Sequence, residues 1–348
     1  MKRITLLLVL AMSICSFIPC FGQENDDYCL AAVKVGGKWG FIDKTGQFVI
    51  NPQFDWAWDF SEGLAAVGIG DYKGGSWGFI DKSGEYAIYP QFNWAFIFHE
   101  GLAAVGIGDI NEGRYGYIDR SGKYIINPQF GDAMSFSNGL ARVRIGNILE
   151  GKRGYIDKTG HFVINPQFHF AEDFYEDLAR VEIDKKWGFV DKSGNFVIEL
   201  QFDMAWGFFD GLAAVKIGEK WGYIDKTGQY AINLQFDNAN DFFDGLATVK
   251  VGDKWGYINK SGQFVIKPQF DEAWGFFDGI SQVKIAGKWG FIDKSGQYII
   301  NPQFDEASRF FEGLAAVKIC GKWGFINKEG RYVINPQFDE AYNFSKIE

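Results

Sequence analysis

The residue types that most often carry out catalysis or bind metals are sparse in this sequence. The three histidines, His99, His161 and His169, lie in different sequence contexts and have no Cys, Asp or Glu at the spacing of metal ligands. Beyond residue 22 the only cysteines are Cys29 and Cys320, and neither has a CxxC partner. Neither a GxSxG string nor a Walker-type phosphate loop is present. We therefore expect no metal site, no cofactor and no enzymatic activity.

Paired carboxylates are the feature closest to hydrolytic chemistry. Asp-Glu pairs recur at three equivalent places: Asp271-Glu272, Asp305-Glu306 and Asp339-Glu340. Adjacent residues on a strand point to opposite faces, so such a pair cannot flank one glycosidic bond as acid and nucleophile. The recurring DK[ST]G strings also lack the alternate carboxylates of a calcium loop. We interpret these groups as solvated turn charges. A carbohydrate-active enzyme, which would need a carboxylate cluster formed only in three dimensions, is the less favoured alternative.

These side chains belong to a tandem repeat that occupies most of the sequence. The string LAAVKI, or a variant of it, starts nine units, at Leu30, Leu64, Leu102, Leu140, Leu178, Leu212, Leu246, Ile280 and Leu314. The spacing is 34 residues once, 38 three times and 34 four times. A whole number of repeats predicts one domain, residues 23–348, and not the two domains that 348 residues would suggest.

Each unit reads as four short β-strands. In residues 38–55, KWGFIDKTGQFVINPQFD, the side chains alternate with a period of two, as in a strand. DKTG at 43–46 supplies the turn of a hairpin, and Pro52, which has no amide to donate, marks where the returning strand leaves the sheet. The LAAVKI segment and a segment such as Phe304 to Phe310 are the other two strands. The predicted fold class is all-β, built of antiparallel β-meander repeats of 34–38 residues.

The first residue of the WG pair is predicted to be a core ring. It is Trp in seven units, and a buried Trp removes about 150–250 Å² from water, an upper-bound gain of roughly 4–6 kcal/mol. The glycine that follows, for example Gly40, is predicted to let the neighbouring unit approach closely. The next site holds only Phe or Tyr, so its ring edge should reach water or a polar partner.

The LAAVKI strand is apolar on both faces, which indicates that both faces are covered. Sheets must then stack face to face, either in a closed β-propeller-like ring or in an open superhelix. The ring is favoured, because the segment Phe338 to Phe344 is the strand that precedes LAAVKI in every other unit and can complete the first blade. Cys29 and Cys320 then lie at opposite strand ends, so we expect no disulfide between them.

The position after a recurring Ala varies in character and supplies the candidate binding residues. Aromatic side chains occupy it at Trp58, Phe96, Trp206, Trp274 and Tyr342. The other units have Met134, Glu172, Asn240 and Ser308 there. A position that mixes Trp with Glu and Asn should face solvent, where exposed rings suit sugar stacking or protein contact. The alternative is partial packing against the next corner.

The second to fourth units carry four extra residues before the WG site, in GDYKGGS, GDINEGR and GNILEGK. Neighbouring units share this insertion, so the longer turns should lie side by side on one rim. Loops clustered on a rigid scaffold often form binding sites. Recent duplication of a longer unit would explain the insertions equally well.

The recurring strings resemble those of the WG-repeat family of bacterial proteins. The shared motifs are K-W-G-[FY]-I-D-K-[ST]-G, V-I-x-P-Q-F-D and F-x-E-G-L-A-A-V-K, and they cover residues 30 to about 344. The sequence departs from them at Tyr115 and Arg153 for Trp, at Leu200 and Leu234 for Pro, and at Asn259 and Asn327 for the turn Asp. The resemblance implies an all-β repeat module of secreted, surface or multidomain proteins that serves binding and has no catalytic residues.

The start of the sequence has the pattern of a secretory signal peptide. Lys2 and Arg3 precede an apolar run from Ile4 to Ile18, which is short for a membrane span, and cleavage is expected after Gly22. Lipid attachment at Cys20 is the rival interpretation. Residues 1–22 are thus assigned as signal peptide, with no transmembrane segment in the mature chain. The protein is expected in the periplasm, at the surface or outside a bacterial cell.

Charge narrows the class of partner. Removing the positive charges of Lys2 and Arg3 changes the formal net charge from −9 to −11, so nucleic acid and anionic membranes would repel the mature chain. We expect a non-catalytic, secreted or cell-surface scaffold that binds a protein or glycan ligand. A purely structural spacer or matrix protein is the main alternative.

Overall fold

The fold is a closed ring of nine antiparallel β-sheets. The computed structural model describes residues 29–71, 75–108, 113–147 and 149–347, so the predicted signal peptide lies outside the described residues. Within those ranges all regular secondary structure is β-strand, and each sheet forms one blade of a β-propeller. The prediction of an all-β ring of nine units is confirmed, and the open superhelix is ruled out.

Each blade has an inner, a second, a third and an outer strand. The inner strands of blades 1–9 are Glu340–Ala341, Trp56–Ser61, Trp94–Ala95, Asp132–Ala133, Phe170–Ala171, Met204–Phe209, Asn238–Phe243, Glu272–Ala273 and Glu306–Ala307. The second strands are Cys29–Val35, Leu64–Ile69, Ala103–Ile107, Ala141–Ile145, Ala179–Ile183, Leu212–Ile217, Leu246–Val251, Ile280–Ile285 and Leu314–Ile319. The third strands are Lys38–Ile42, Ser76–Ile80, Arg114–Ile118, Lys152–Ile156, Lys186–Val190, Lys220–Ile224, Lys254–Asn259, Lys288–Asp293 and Lys322–Asn327. The outer strands are Phe48–Phe54, Tyr86–Phe92, Tyr124–Phe130, Phe162–Phe168, Phe196–Phe202, Tyr230–Phe236, Phe264–Phe270, Tyr298–Phe304 and Tyr332–Phe338.

Blade 1 joins the two ends of the described chain. Its inner strand comes from the ninth repeat and pairs with Cys29–Val35, with Ala341 opposite Val33. A last short strand, Ser345–Lys346, continues this pairing along Cys29 and Leu30. As predicted, the C-terminal segment completes the first blade, so the ring is closed by strand hydrogen bonds.

The antiparallel order gives the ring two different faces. The corner face carries the turns between inner and second strands and the DK[ST]G turns between third and outer strands. The loop face carries the turns between second and third strands and the connections from one blade to the next. The lengthened turns of blades 2–4 are therefore neighbours on the loop face, as the sequence predicted.

Side chains from two blades fill each seam between them. At the first seam, Trp39 and Phe41 of blade 1 pack with Phe60 and Val67 of blade 2, and all four are buried. The second strand is covered on both faces, as predicted; Ala32 and Val33 are both 0% exposed. WG tryptophans are buried in four blades and half-buried in the other three. Apolar burial at nine such seams stabilises the ring.

The Phe/Tyr site that follows WG has a polar partner whenever it is Tyr. The Tyr223 hydroxyl donates to the Asn240 carbonyl of the next blade at 2.8 Å, and Tyr117 donates to Met134 in the same way. Both tyrosines are 0% exposed. The predicted polar partner is thus a backbone carbonyl across the seam, which satisfies a buried hydroxyl.

Two local predictions were wrong for one shared reason, a bulge in the outer strand. Pairing shifts register between Trp39 and Phe41, and the outer strand continues through Pro52 to Phe54. An edge strand tolerates proline at a bulge because that position needs no ladder hydrogen bond. The bulged backbone crowds Gly40, where a Cβ would lie 2.5 Å from the Ile50 oxygen. Gly40 therefore makes room for its own outer strand and not for the neighbouring unit.

The recurring PQFD aspartate clamps neighbouring blades on the loop face. Asp237 Oδ1 accepts from Lys220 Nζ at 2.7 Å within blade 6, and its Oδ2 accepts from the Gly252 amide of blade 7 at 2.7 Å. The Lys220 hydrogen bond, followed by the Gly252 amide, lowers the pKa of Asp237. These carboxylates, predicted to be solvated turn charges, have a defined structural role.

Cys29 and Cys320 do not form a disulfide with each other, as predicted. Cys29 is buried at the corner face, where its Sγ lies 3.9 Å from Glu312 Oε2. Cys320 is exposed in the loop-face turn of blade 9, at the opposite strand end.

Candidate functional site: the channel and the two faces

Equivalent residues of the nine inner corners line one end of a central channel. In blades 5–9 these residues are aromatic, and together they form the aromatic arc: Tyr175, Phe209, Phe243, Phe277 and Phe311. The other four blades have Ser345, Ser61, His99 and Ser137 there. Successive rings from Tyr175 to Phe277 are 4.7–5.1 Å apart. Since nine blades turn by about 40° each, that spacing corresponds to about 7 Å from the axis.

The residues two positions before these rings in the chain form a second series, which we call the deeper series. Three of them, Gly207, Gly275 and Arg309, lie against rings of the arc. At Gly275 a Cβ would lie 2.6 Å from the Phe243 ring, and at Gly207 it would lie 3.2 Å from the Phe209 ring. In blade 9 the same position is Arg309, whose guanidinium carbon lies 4.8 Å from the centre of the Phe277 ring. The channel already contains one cation stacked on an aromatic face.

The aromatic arc borders a cavity of about 480 Å³ that opens at the corner face. Four carboxylates and two cations line it: Asp210, Asp244, Asp278, Glu312, Arg309 and Lys328. Two of these carboxylates also bind the next corner: Asp210 Oδ2 accepts from the Gly245 amide at 2.7 Å, and Asp244 Oδ2 accepts from the Gly279 amide at 2.9 Å. Asp244 and Asp278 form ion pairs with Lys294 and Lys328.

Two aspartates of the deeper series are unusual for their burial. Asp59 Oδ1 and Asp241 Oδ1 are shielded from solvent and have no hydrogen-bond partner among the described residues. Burial raises the pKa of Asp59 to about 7. Burial also raises the pKa of Asp241 to about 7, opposed by the positive charge of Arg180. Both carboxyl groups therefore change charge near neutral pH.

The five predicted ligand residues do not form one surface. Trp58 and Trp206 lie on the inner strands of blades 2 and 6, and Phe96, Trp274 and Tyr342 directly follow the inner strands of blades 3, 8 and 1. Trp58, Phe96 and Trp206 are half-buried, whereas Trp274 is 47% and Tyr342 36% exposed.

Most of these rings pack on the WG aromatic of their own blade. Tyr342 stacks on Trp39 at 4.8 Å, and Trp206 stacks on Trp221 at 6.2 Å. Trp206 Nε1 also donates to the Ala239 carbonyl of blade 7 at 3.1 Å. Trp206 therefore joins two blades, and Trp274 is the ring with the most accessible face.

Variation at this position follows the cross-strand partner. Glu172 lies opposite Arg180 and forms an ion pair with it at 3.4 Å, and Asn240 donates to Thr248 Oγ1 at 2.7 Å. Where the partner is alanine, a large ring occupies the site in four blades, as with Trp206 and Ala214, whereas Ser308 lies opposite Ala316. In these pairs the two side chains compensate each other in size or charge. The Ala-to-Arg changes in LARVRI and LARVEI are the sequence signal of this pairing.

The loop face is divided into an apolar and a charged part. In blades 8, 9 and 1 a Glu–Lys pair joins inner and second strands, for example Glu272 Oε1 and Lys284 Nζ at 2.7 Å. Blades 2 and 3 have Trp56 opposite Gly68 and Trp94 opposite Gly106 instead. We call the following side chains on blades 2–6 the apolar rim: Trp56, Trp94, Leu149, Phe170 and Met204.

The apolar rim is accessible and lies beside the lengthened turns. Leu149 is 89%, Phe170 49%, Met204 42% and Trp56 37% exposed. Leu149 and Phe170 border a second cavity, of about 340 Å³, together with His169 and Arg153. The Arg153 guanidinium lies 4.5 Å from the centre of the Phe170 ring. The shared insertion predicted that these turns lie side by side, but nothing in the sequence indicated that exposed apolar side chains lie beside them.

The Asp-Glu pairs are separated by their partners. Asp271 Oδ2 accepts the Ala286 amide at 2.8 Å, whereas Glu272 binds Lys284. In the described part of the chain, no group of three or more His, Cys, Asp or Glu side chains is arranged to hold a metal ion. No helix that could cross a membrane occurs in the same ranges.

The fold and its repeats define the class of protein, a nine-bladed β-propeller built from WG units. A model of the WG containing repeat matches nine times, from residue 39 to residue 346. The chain belongs to this WG-repeat family.

The likeness to one solved structure, at low sequence identity, concerns the fold alone. The chain superposes on a eukaryotic initiation factor with a TM-score of 0.61 and 10% identity, over 91% of this chain and 97% of the other. Hsv2p of Kluyveromyces lactis gives a TM-score of 0.42 and 8% identity, over 70% and 96% of the two chains. No curated protein matches the sequence.

Proposed function

We propose that this chain is an exported bacterial scaffold without catalytic activity that binds a protein or glycan ligand through the apolar rim of its loop face. The observation that carries the proposal is the division of that face. Equivalent positions hold Glu–Lys pairs on blades 8, 9 and 1 but the apolar side chains of Trp56, Trp94, Phe170 and Met204 on blades 2, 3, 5 and 6. Blade 4 has Asp132 there, and its turn contributes the exposed Leu149. The repeat itself does not require this difference, because both versions pair within the same blade architecture.

The composition of the rim supports a ligand with both apolar and polar groups. Exposed Trp and Phe rings offer faces for sugar stacking or for the apolar centre of a protein interface. Arg153, His169 and Glu182 around the smaller cavity supply hydrogen-bond donors and acceptors. Binding at such a surface needs no catalytic group, in keeping with the absence of a catalytic motif in the sequence.

Export is part of the same proposal. The basic start, the short apolar run and the expected cleavage after Gly22 support it. N-terminal sequencing of the protein recovered outside the cytoplasm should begin at Gln23. A mature protein that retains residues 1–22 unmodified in the cytoplasm would overturn export without affecting the binding proposal.

The binding test replaces an apolar side chain of the rim with the Glu–Lys pair that other blades have at the equivalent position. The double variant Trp56→Glu with Gly68→Lys installs on blade 2 the ion pair found on blades 1, 8 and 9, so it should fold like the wild type. Removing the pair on blade 8 with Glu272→Ala and Lys284→Ala is the matched control. Both would be compared with the wild type on a glycan array, on purified peptidoglycan and on immobilised extracellular proteins.

We expect the wild type and the blade 8 control to bind at least one member of these panels saturably, with about micromolar affinity. The blade 2 variant should bind it about tenfold more weakly. If the wild type binds nothing on the panels, or if the blade 2 variant binds unchanged, the proposal is wrong and a structural spacer is favoured.

A further inference from the structure

We propose that the corner-face end of the channel is a second binding site, which accepts an arginine side chain presented by a partner protein. The site is independent of the apolar rim, since it lies at the other end of the channel. Its walls are the rings of Phe209 and Phe243, and its charged groups are Asp210 and Asp241.

The first argument is the arrangement of the rings. The aromatic arc is continuous over five blades, whereas the remaining blades have Ser or His at the same position. Glycines at 207 and 275 leave room for these rings, and any larger side chain at 275 would collide with Phe243. The arc therefore depends on two sets of residues, the rings and the glycines that leave room for them. The fold does not require the rings, because three other blades have serine at the ring position.

The second argument is the chemistry of the ring faces. The guanidinium of Arg309 lies 4.8 Å from the centre of the Phe277 ring, so the arc already accommodates a planar cation. Guanidinium stacks on aromatic faces and is weakly hydrated, which makes it better suited to a partly enclosed aromatic site than an ammonium group. The neighbouring rings of Phe209 and Phe243 border the cavity and are each half-buried.

The third argument is charge. Asp210 lies at the mouth and, in the described ranges, forms no ion pair, although its equivalents Asp244 and Asp278 do. Asp241 belongs to the same deeper series as Gly207, Gly275 and Arg309, each of which lies against a ring of the arc. By that equivalence Asp241 lies beside Phe209, and its Oδ1 has no hydrogen-bond partner among the described residues. A guanidinium between the rings would donate hydrogen bonds to Asp210, and its positive charge would favour the ionised form of the nearby Asp241.

The charge left unpaired at the cavity favours a cationic guest over a neutral one. Lysines pair with three of the lining carboxylates, Asp244, Asp278 and Glu312, so Asp210 is the one that keeps a negative charge without an ion pair in the described ranges. An arginine on a projecting loop of a partner protein can reach about 6–7 Å from its backbone, which suits a narrow channel mouth.

The test uses the full mature chain and the peptide acetyl-Gly-Gly-Arg-Gly-Gly-amide, titrated by calorimetry at about pH 8, where Asp241 is mainly ionised. The comparison peptide replaces arginine with citrulline, which keeps the shape and loses the charge. We expect saturable binding of the arginine peptide and about tenfold weaker binding of the citrulline peptide.

Two variants locate the site. Phe243→Ser installs the residue found at equivalent positions 61, 137 and 345, and Asp241→Asn removes the charge; each should weaken arginine binding about tenfold. Asp241→Asn is also expected to stabilise the fold at this pH, so its loss of binding cannot result from unfolding. Ser137→Ala, at the equivalent position two blades away from Phe209, is the control and should bind like the wild type.

Equal binding of the arginine and citrulline peptides, or no binding of either, would overturn the proposal. Unchanged affinity in both Phe243→Ser and Asp241→Asn would do so as well. Binding of loop-face ligands should be unaffected by these variants, so failure here leaves the rim proposal standing, and the reverse also holds.

Discussion

At the scale of single residues, two tryptophans show that burial, and not residue type, decides how much a side chain contributes to the free energy of unfolding. Trp221 is 4% exposed and stacks on Trp206, whereas Trp274 is 47% exposed. Trp221→Ala should lower the free energy of unfolding by about 3–5 kcal/mol, because it leaves a large cavity between two blades. Denaturant titration measures this loss. Trp274→Ala is the control and should cost clearly less; equal losses would contradict the assigned burial.

The buried carboxylate of Asp59 predicts a stability effect of the opposite sign. Its folded pKa of about 7 lies above the ordinary value of 3.8, so the folded state holds a proton that the unfolded state releases between these values. Stability from this group is present below pH 3.8 and is lost as the pH rises to about 7. Asp59→Asn should therefore stabilise the protein by about 2 kcal/mol at neutral pH and hardly at all in acid. Thermal melting at both pH values checks this, and a variant less stable than the wild type at neutral pH would refute it.

The limits of sequence reasoning are clear at this scale. The core role of the WG ring could be predicted, because one residue type recurs without a change of character. The role of Trp58, Glu172 and Asn240 could not, because their variation looks like solvent exposure until the cross-strand partner is known. An irregularity between Ala57 and Phe60 in the inner strand places two residues opposite one, and this decides which of them faces the seam.

At the scale of the elements, the PQFD clamp links six of the nine outer strands to the next blade. The pKa of Asp237 is lowered from 3.8, chiefly by the Lys220 hydrogen bond, so its contribution is present above pH 3.8 and is lost as the pH falls further. Asp237→Ala should lower the melting temperature by a few degrees at neutral pH, and the difference should shrink in acid.

Glu219, an exposed carboxylate in the adjacent turn, provides the control for the clamp. Glu219→Ala should melt like the wild type at every pH. A difference between Asp237→Ala and the wild type that grows in acid would contradict the clamp, because a protonated Asp237 can no longer pair with Lys220.

Strand periodicity and turn chemistry predicted the elements well. The sequence correctly placed the hairpin at residues 43–46 and the two-sided burial of LAAVKI. It misplaced the end of the outer strand at Pro52, because proline ends a regular ladder but not a bulged edge strand. Gly40 was misread for the same reason: only the bulge brings the Ile50 carbonyl within contact of its Cα.

At the scale of the whole molecule, closure creates the features that the sequence could not show. The number of units and the strand missing from the first repeat predicted a ring. The aromatic arc and the apolar rim arise only when equivalent positions of successive blades are brought side by side around one axis. In the sequence Phe209, Phe243 and Phe277 are 34 residues apart and look like further copies of a repeat.

Closure is the claim on which both proposed sites depend, and the most direct test is a zero-length carbodiimide crosslink between carboxylate and amine. Lys34 Nζ and Glu340 Oε1 are 2.9 Å apart across the closure of blade 1. Equivalent pairs in blades whose strands are consecutive in the chain, Lys284 with Glu272 and Lys318 with Glu306, are both 2.7 Å apart and serve as internal controls. Peptide mapping of the crosslinked monomer should find all three links. Finding both control links without the one between Lys34 and Glu340 would show that the ring is open.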